Sequence, residues 1–262
     1  SLPIVLFNDD GREQLVWHDG RLVDGQGECP HTEPDVWNRD AVSMSPAYLG
    51  FAIEPYESRY LQYKGVGIAF ARPCHGSFMQ PSIDTILVCV GLDRIFAAGN
   101  LLFSRIIDAG TGSGFIGKFA AVKAPGDGRL SATLVDVDPA AADYCRTPAF
   151  GARPHGSGGR EVAWRYLAGD AAQLLEDDAN FDLVVSNPPY IPTKGEVEDD
   201  DLAQPSGFWE GCGLLVRLME LMLGGKFLPD AHLVVMVTSL TLKSQRVASL
   251  LDQAPAAGVR VR

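Results

Sequence analysis

Several things are scarce in this sequence of 262 residues, and each scarcity removes a class of protein. No apolar run approaches the roughly 20 residues that span a bilayer. The N-terminal Ser1-Leu2-Pro3 has no charged region followed by an apolar segment, so no secretory signal is expected and a cytoplasmic location is. Cations are few, 22 Lys and Arg against 33 Asp and Glu, for a net charge of -11. Proteins that grip nucleic acid through its phosphates gather cations, so tight nonspecific binding is disfavoured. Part of that charge sits in Glu196-Val197-Glu198-Asp199-Asp200-Asp201, which reads as a solvated loop. The five cysteines, Cys29, Cys74, Cys89, Cys145 and Cys212, are odd in number and lack a C-x-x-C pair, which suits reduced thiols. Cys29 near His31 and Cys74 beside His75 read as unrelated residues, and no metal is expected.

What is present divides near residue 75. Before it, the apolar runs Ile4 to Phe7, Leu15 to Trp17 and Leu22-Val23 alternate with Asp-Gly turns, giving a small β-rich appendage over 1–75. Between Gly25 and Tyr60 no element can be assigned. From 76 to 262 the texture is that of a second unit. Ser82 can cap a helix with apolar Ile83, Ile86, Leu87 and Val90 at helical spacing. Buried strands are expected at Arg105 to Asp108, Ala132 to Val137, Phe181 to Ser186 and Leu233 to Val237. Helices are expected from Phe115 to Val122 and around Gly213 to Met222 and Leu242 to Leu251, with a loop from Pro148 to Arg160. Apolar strands alternating with helices predict an α/β fold with a doubly wound, mostly parallel sheet.

Asp108-Ala109-Gly110-Thr111-Gly112-Ser113-Gly114 stands between a strand and a helix, where a glycine-rich turn can lie close to a ligand. Three cofactor classes compete for such a turn. Gly112 to Lys118 fits the spacing of a phosphate loop, but Phe119 stands where a hydroxyl would ligate Mg²⁺. A nicotinamide or flavin enzyme would show an acidic residue where Asp136 stands, and a methyltransferase would too, so spacing does not separate them. Asp108 directly before the turn and the signature that follows favour the methyltransferase. In that reading Asp136 accepts the ribose hydroxyls. Asp138 is either a second candidate for that role or a helix cap before Pro139, and Asp170 is either a turn residue or an acceptor for an adenine amine.

The sharpest signal is Phe181-Asp182-Leu183-Val184-Val185-Ser186-Asn187-Pro188-Pro189-Tyr190, a strand running straight into two prolines. Prolines fix φ and donate nothing, so the nearby carbonyls stay available as acceptors. The Asn187 side-chain oxygen and the Pro188 carbonyl can accept both hydrogens of a planar NH₂ group while Tyr190 stacks on its plane. Accepting both hydrogens returns electron density to a delocalised nitrogen and aims it at an electrophilic methyl.

With Phe78-Met79-Gln80-Pro81-Ser82-Ile83-Asp84-Thr85 upstream and Gln204-Pro205 and Gly211-Cys212-Gly213-Leu214 downstream, these motifs resemble class I S-adenosylmethionine-dependent methyltransferases with an N-P-P-Y motif. They are most like the HemK/PrmC-type glutamine methyltransferases of release factors. The resemblance covers about 76 to 262. It implies S-adenosylmethionine as cofactor and S-adenosylhomocysteine as product, with contacts from Thr85, Asp108, Ala109, Gly110, Thr111, Gly112, Gly114, Asp136, Val137, Asp170, Ala171 and Asn187. It implies that Asn187, Pro188, Pro189 and Tyr190 hold the target nitrogen, and that the segment at 78–85 closes over the cofactor. Two features depart from it: that family commonly has a helical N-terminal domain, and Val259-Arg260-Val261-Arg262 falls where a sixth strand is expected. The expected partner is a protein substrate such as a release factor, selected by residues 1–75. An adenine amine of DNA or RNA, and a noncatalytic cofactor-binding scaffold, are the alternatives.

Overall fold

In this computed structural model the described residues are 4–7, 13–18, 21–24, 42–44, 58–71, 78–79, 81–98, 101–150, 156, 159–192 and 211–261. The acidic run, Cys29 with His31, Cys74 with His75 and Gln204-Pro205 lie outside them. Six strands precede the first helix: β1 (Ile4–Phe7), β2 (Glu13–His18), β3 (Arg21–Asp24), β4 (Val42–Met44), β5 (Ser58–Tyr63) and β6 (Val66–Ala71). They form one sheet in the order β3-β2-β1-β4-β5-β6, antiparallel except where β1 meets β4. The β-rich reading of this region holds.

A second sheet follows, built from β7 (Arg105–Ala109), β8 (Leu130–Asp136), β9 (Val162–Ala168), β10 (Leu183–Ser186) and β11 (His232–Val235). All five strands are parallel, in the order β11-β10-β7-β8-β9. The chain moves outward from β7 through β8 to β9, then returns to lay β10 on the other flank of β7. That reversal makes the β7–β10 boundary the switch point of a doubly wound sheet, where the loops leaving neighbouring strands diverge and open a crevice.

Both faces of this sheet are covered. Successive side chains of a strand point to opposite faces, and here each face has its own apolar cluster. Ile106, Leu134, Leu183 and Val185 join Ile86, Leu92, Phe115 and Phe119 of helices α1 (Ile83–Ala97) and α2 (Phe115–Lys123). Ile107, Val135 and Val184 join Leu175 and Leu218 of α4 (Ala171–Asp177) and α5 (Gly213–Leu223). Helix α3 (Pro139–Tyr144) connects β8 toward β9, and α6 (Gln245–Gln253) packs its Val247 and Leu250 on Leu215 and Val216 of α5. Fully burying one such side chain contributes about 1.5–3 kcal/mol, so strands apolar on both faces have no stable home but this one. No helix among the described residues is long and apolar enough to cross a membrane.

The expected sequence of elements lacks β9 and α4, and in the first sheet β4, β5 and β6. Among the described residues β9 pairs with β8 alone, at the sheet edge, and its central Arg165 and terminal Ala168 are exposed. Such a strand needs no unbroken apolar run of the kind that marks the central strands. The expected helix at 242–251 is also divided, into a 3-10 turn at Thr241–Lys243 and α6.

The first sheet meets α2. Tyr63 stacks on Phe119 with ring centroids 5.3 Å apart, and the buried Lys118 donates to the Gly67 carbonyl at 2.7 Å and to the Phe150 carbonyl. Lys118, the residue that completes a phosphate-loop spacing, is therefore a staple between layers. Its burial brings its pKa down to about 8.

Candidate active site

The glycine turn begins where β7 ends. Gly110 and Thr111 both donate to the Val135 carbonyl of β8, at 2.9 and 3.0 Å, which folds the turn across the top of the neighbouring strand. Gly112 and Gly114 hold left-handed φ values of 49° and 75°. A Cβ on Gly112 would lie 2.6 Å from the Met79 carbonyl, and one on Gly114 would lie 2.6 Å from Phe150 and 2.7 Å from the Cys145 sulfur. Glycine is required at both positions by space as well as by conformation.

Asp108, 1% exposed, organises the turn from below. Its Oδ2 accepts from the Thr111 hydroxyl and from the Gly117 N–H of α2, each at 2.7 Å. Burial pushes its pKa up to about 7, the two hydrogen bonds oppose the rise, and the nearby Asp136 carboxylate adds to it. Asp108 thus shapes the turn and is walled off from solvent.

Asp136, the last residue of β8, accepts from Gly112 N–H at 2.8 Å through Oδ2 and from Asp138 N–H at 3.0 Å through Oδ1. Val137 beside it is 76% exposed. Asp138 is the N-cap of α3, its side chain accepting from Ala140 N–H at 2.9 Å. At the end of β9, Asp170 caps α4 by accepting from Ala172 and Gln173 N–H groups at 2.8 and 3.3 Å through Oδ1. Its turn role is therefore real. Ala109 and Ala171 put their methyls into the core beneath the rim. Thr85 is buried, and its hydroxyl accepts from Ser82 N–H at 3.0 Å at the start of α1.

The Asn-Pro-Pro-Tyr turn leaves β10, which pairs directly with β7. Two adjacent parallel strands therefore deliver the two turns to one rim. The Ser186 hydroxyl donates to the Ala109 carbonyl at 2.6 Å and ties the strand ends together. Asn187 is 6% exposed, and its Oδ1 is fully buried without a partner among the described residues. Pro188 is buried and Pro189 half-buried. Tyr190 is held at both ends: its hydroxyl donates to Asp84 Oδ2 at 2.6 Å, and its carbonyl accepts from the Thr241 hydroxyl at 2.6 Å and from Cys212 Sγ at 3.8 Å. Burial, and then the bond to Asp84, push the Tyr190 phenol far above its ordinary pKa.

Sequence reasoning assigned no role to Ser186, Thr241, Cys212 or Asp84. Thr241 had a signal, since Thr238-Ser239-Leu240-Thr241 is a mostly polar stretch directly after the apolar run Leu233 to Val237. Thr238 and Thr241 support each other through two backbone-to-hydroxyl bonds, Thr238 N–H to Thr241 at 3.0 Å and Thr241 N–H to Thr238 at 3.2 Å.

Residues 92–204 match the family described as Methyltransferase small domain. A release factor glutamine methyltransferase of Chlorobaculum tepidum is 41% identical over 118 residues, 43% of this chain and 37% of that protein. One of Koribacter versatilis is 35% identical over 96 residues, 37% of this chain and 29% of that protein. The chain spans about a third of the length of these curated relatives. A solved S-adenosylmethionine-dependent methyltransferase of Agrobacterium tumefaciens superposes with a TM-score of 0.47 at 17% identity, covering 90% of this chain and 72% of that one.

A parallel sheet with its crevice between β7 and β10, a glycine turn on β7 and an acidic residue closing β8 make up a domain similar to class I methyltransferases. This one is HemK/PrmC-like, the match at 92–204 taking in both the glycine turn and the Asn-Pro-Pro-Tyr turn. S-adenosylmethionine is the cofactor of that class, and the residues fit it. Asp136 and Asp170 stand at the carboxyl ends of two adjacent strands beside a turn, built on Asp108, in which Gly112 and Gly114 have no room for a Cβ, and the orphaned Asn187 oxygen lies on the far side of β7.

Proposed function

We propose that this protein transfers a methyl group from S-adenosylmethionine to the side-chain amide nitrogen of a glutamine in a protein substrate. The observation that carries this reading is the Asn187 oxygen, a fully buried acceptor with no donor among the described residues. Leaving such a group unpaired costs about 1–3 kcal/mol, and a site that uses it only when an N–H donor arrives explains why it is kept. The Pro188 carbonyl, in a turn whose prolines donate nothing, is the natural acceptor for the second hydrogen of the same NH₂ group. Tyr190, pinned at hydroxyl and carbonyl, offers its ring to the amide plane.

S-adenosylmethionine, when bound, supplies a sulfonium methyl that is already electrophilic. The chain's own part is orientation: two acceptors draw density onto the nitrogen and hold it in line, and reacting atoms held about 3–3.5 Å apart need no covalent intermediate. Asp136 is the residue we assign to the ribose, and Val137, exposed at the same rim, to the adenine. A release factor is the protein substrate that the curated relatives' names suggest. Residues 1–75 we assign to substrate selection and 76–262 to the transfer.

Labelled S-adenosylmethionine incubated with the protein and a cell extract should give label that protease removes and nuclease does not. Asn187→Ala should abolish that label while calorimetry still detects S-adenosylhomocysteine binding. Label released by nuclease would replace the amide with an adenine amine. Undiminished transfer by Asn187→Ala would refute the assignment of the acceptor, and a protein that binds cofactor but labels nothing would be the scaffold.

A further inference from the structure

We propose that Asp84 is the positioning residue of this site, aiming the Tyr190 ring by holding its hydroxyl and so linking the segment beside the glycine turn to the grip on the target nitrogen. The proposal rests on the methyl-transfer reading above and adds to it a residue which that reading leaves without a task.

The geometry is a bridge of three contacts. Met79, five residues before Asp84, presents its carbonyl so close to Gly112 that a single added methyl there would collide with it. Phe78 is buried and lies against Tyr144 with ring centroids 5.6 Å apart, which anchors the segment on the α3 side. Ser82 then caps α1, its N–H held by the Thr85 hydroxyl, and the first turn of the helix carries Asp84. From that turn Asp84 Oδ2 reaches across 106 residues of sequence to the Tyr190 hydroxyl at 2.6 Å, with the Ser82 hydroxyl at 3.5 Å as its other neighbour.

An acidic residue in a first helical turn has an ordinary explanation, attraction to the helix N-terminus, contributing about 0.3–1 kcal/mol. That explanation does not call for a bond to Tyr190. A tyrosine side chain has two χ angles, and the Thr241 and Cys212 contacts fix only its main chain. The Asp84 bond fixes the far end of that side chain at its hydroxyl, and a carboxylate acceptor makes it of the strong, charge-assisted kind. A ring held this way needs no reorganisation when a planar amide slides against it. One of the two faces of the receptor is thereby set by the same segment that touches the glycine turn.

Asp84→Ala, Asp84→Asn, Tyr190→Phe and the double variant Asp84→Ala/Tyr190→Phe test it, with tritiated S-adenosylmethionine and graded dilutions of cell extract as the probes. Asp84→Ala and Tyr190→Phe should each lower the initial rate roughly ten- to hundredfold, the size of one charge-assisted bond. The double variant should be no slower than the worse single one. Asp84→Asn, which can still accept from the hydroxyl, should recover most of the rate. A second readout does not depend on turnover: with 3-fluorotyrosine incorporated and the Tyr190 resonance identified by its loss in Tyr190→Phe, Asp84→Ala should lower that resonance's titration midpoint. A wild-type rate in Asp84→Ala, multiplicative losses in the double variant, or an unmoved midpoint would overturn the proposal. If Asn187→Ala also kept its activity, the methyl-transfer reading itself would fall, and the fluorine midpoint would still decide whether Asp84 holds the ring.

Discussion

The Ser186 hydroxyl and the Ala109 carbonyl, 77 residues apart in sequence, meet at 2.6 Å where the two central strands end. Each of these residues is followed by one of the turns that define the site, so the bond fixes the spacing between them.

Ser186→Ala should therefore do two things. It leaves the Ala109 carbonyl in a place without exposed surface, which predicts a loss of about 1–3 kcal/mol, read from the midpoint of urea unfolding. It should also lower methyl transfer while leaving the Asn187 side chain intact. A variant as stable and as active as the parent would show that β-sheet pairing alone sets the spacing.

Asp108 predicts a pH dependence of stability with a definite sign. Its folded pKa is raised to about 7, above an ordinary value of 3.8. Between those values the native state holds a proton that the unfolded chain has released. The stability it contributes is thus complete below the unfolded value, falls as pH rises toward 7, and changes no further beyond that. Asp108→Asn keeps an oxygen to accept from Thr111 and Gly117 but cannot titrate. The parent's stability relative to this variant should drop by about 2–3 kcal/mol between about pH 5 and pH 7, measured by denaturant unfolding at each pH. Parallel curves for the two proteins would disprove it.

Lys118 should matter more to the first sheet than to the second. Lys118→Met retains most of the apolar stem and removes the donor to Gly67 and Phe150. Backbone amides around Val66 to Ile68 should then exchange hydrogen faster, by mass spectrometry, while those of β7 and β10 keep their protection. Equal acceleration in both sheets would mean that Lys118 supports the whole fold and not the junction.

The central strands, the glycine turn and the Asn-Pro-Pro-Tyr turn were readable because each depends on local chemistry: apolar residues buried on two faces, glycines where a Cβ collides, prolines where a ladder must stop. Strand β9 was not, since an edge strand with Arg165 in its middle satisfies no such pattern. The partners Ser186, Thr241 and Asp84 were missed for a different reason. A serine, a threonine or an aspartate is unremarkable until folding brings it against Ala109 or Tyr190, and those contacts span between 51 and 106 positions of sequence. Structurally, Asp170 was legible only as a turn residue, since α4, the helix it caps, is a short one that the sequence reading did not expect.

Asp136 enters the site already restrained, one oxygen engaged by Gly112 and the other by Asp138. Each carboxylate oxygen has a second lone pair to offer, so in the ribose role proposed for Asp136 a visiting diol would meet acceptors whose direction was settled when the chain folded. Little side-chain entropy would remain to be surrendered on such an association, and affinity at this position would become a property of the backbone that surrounds it.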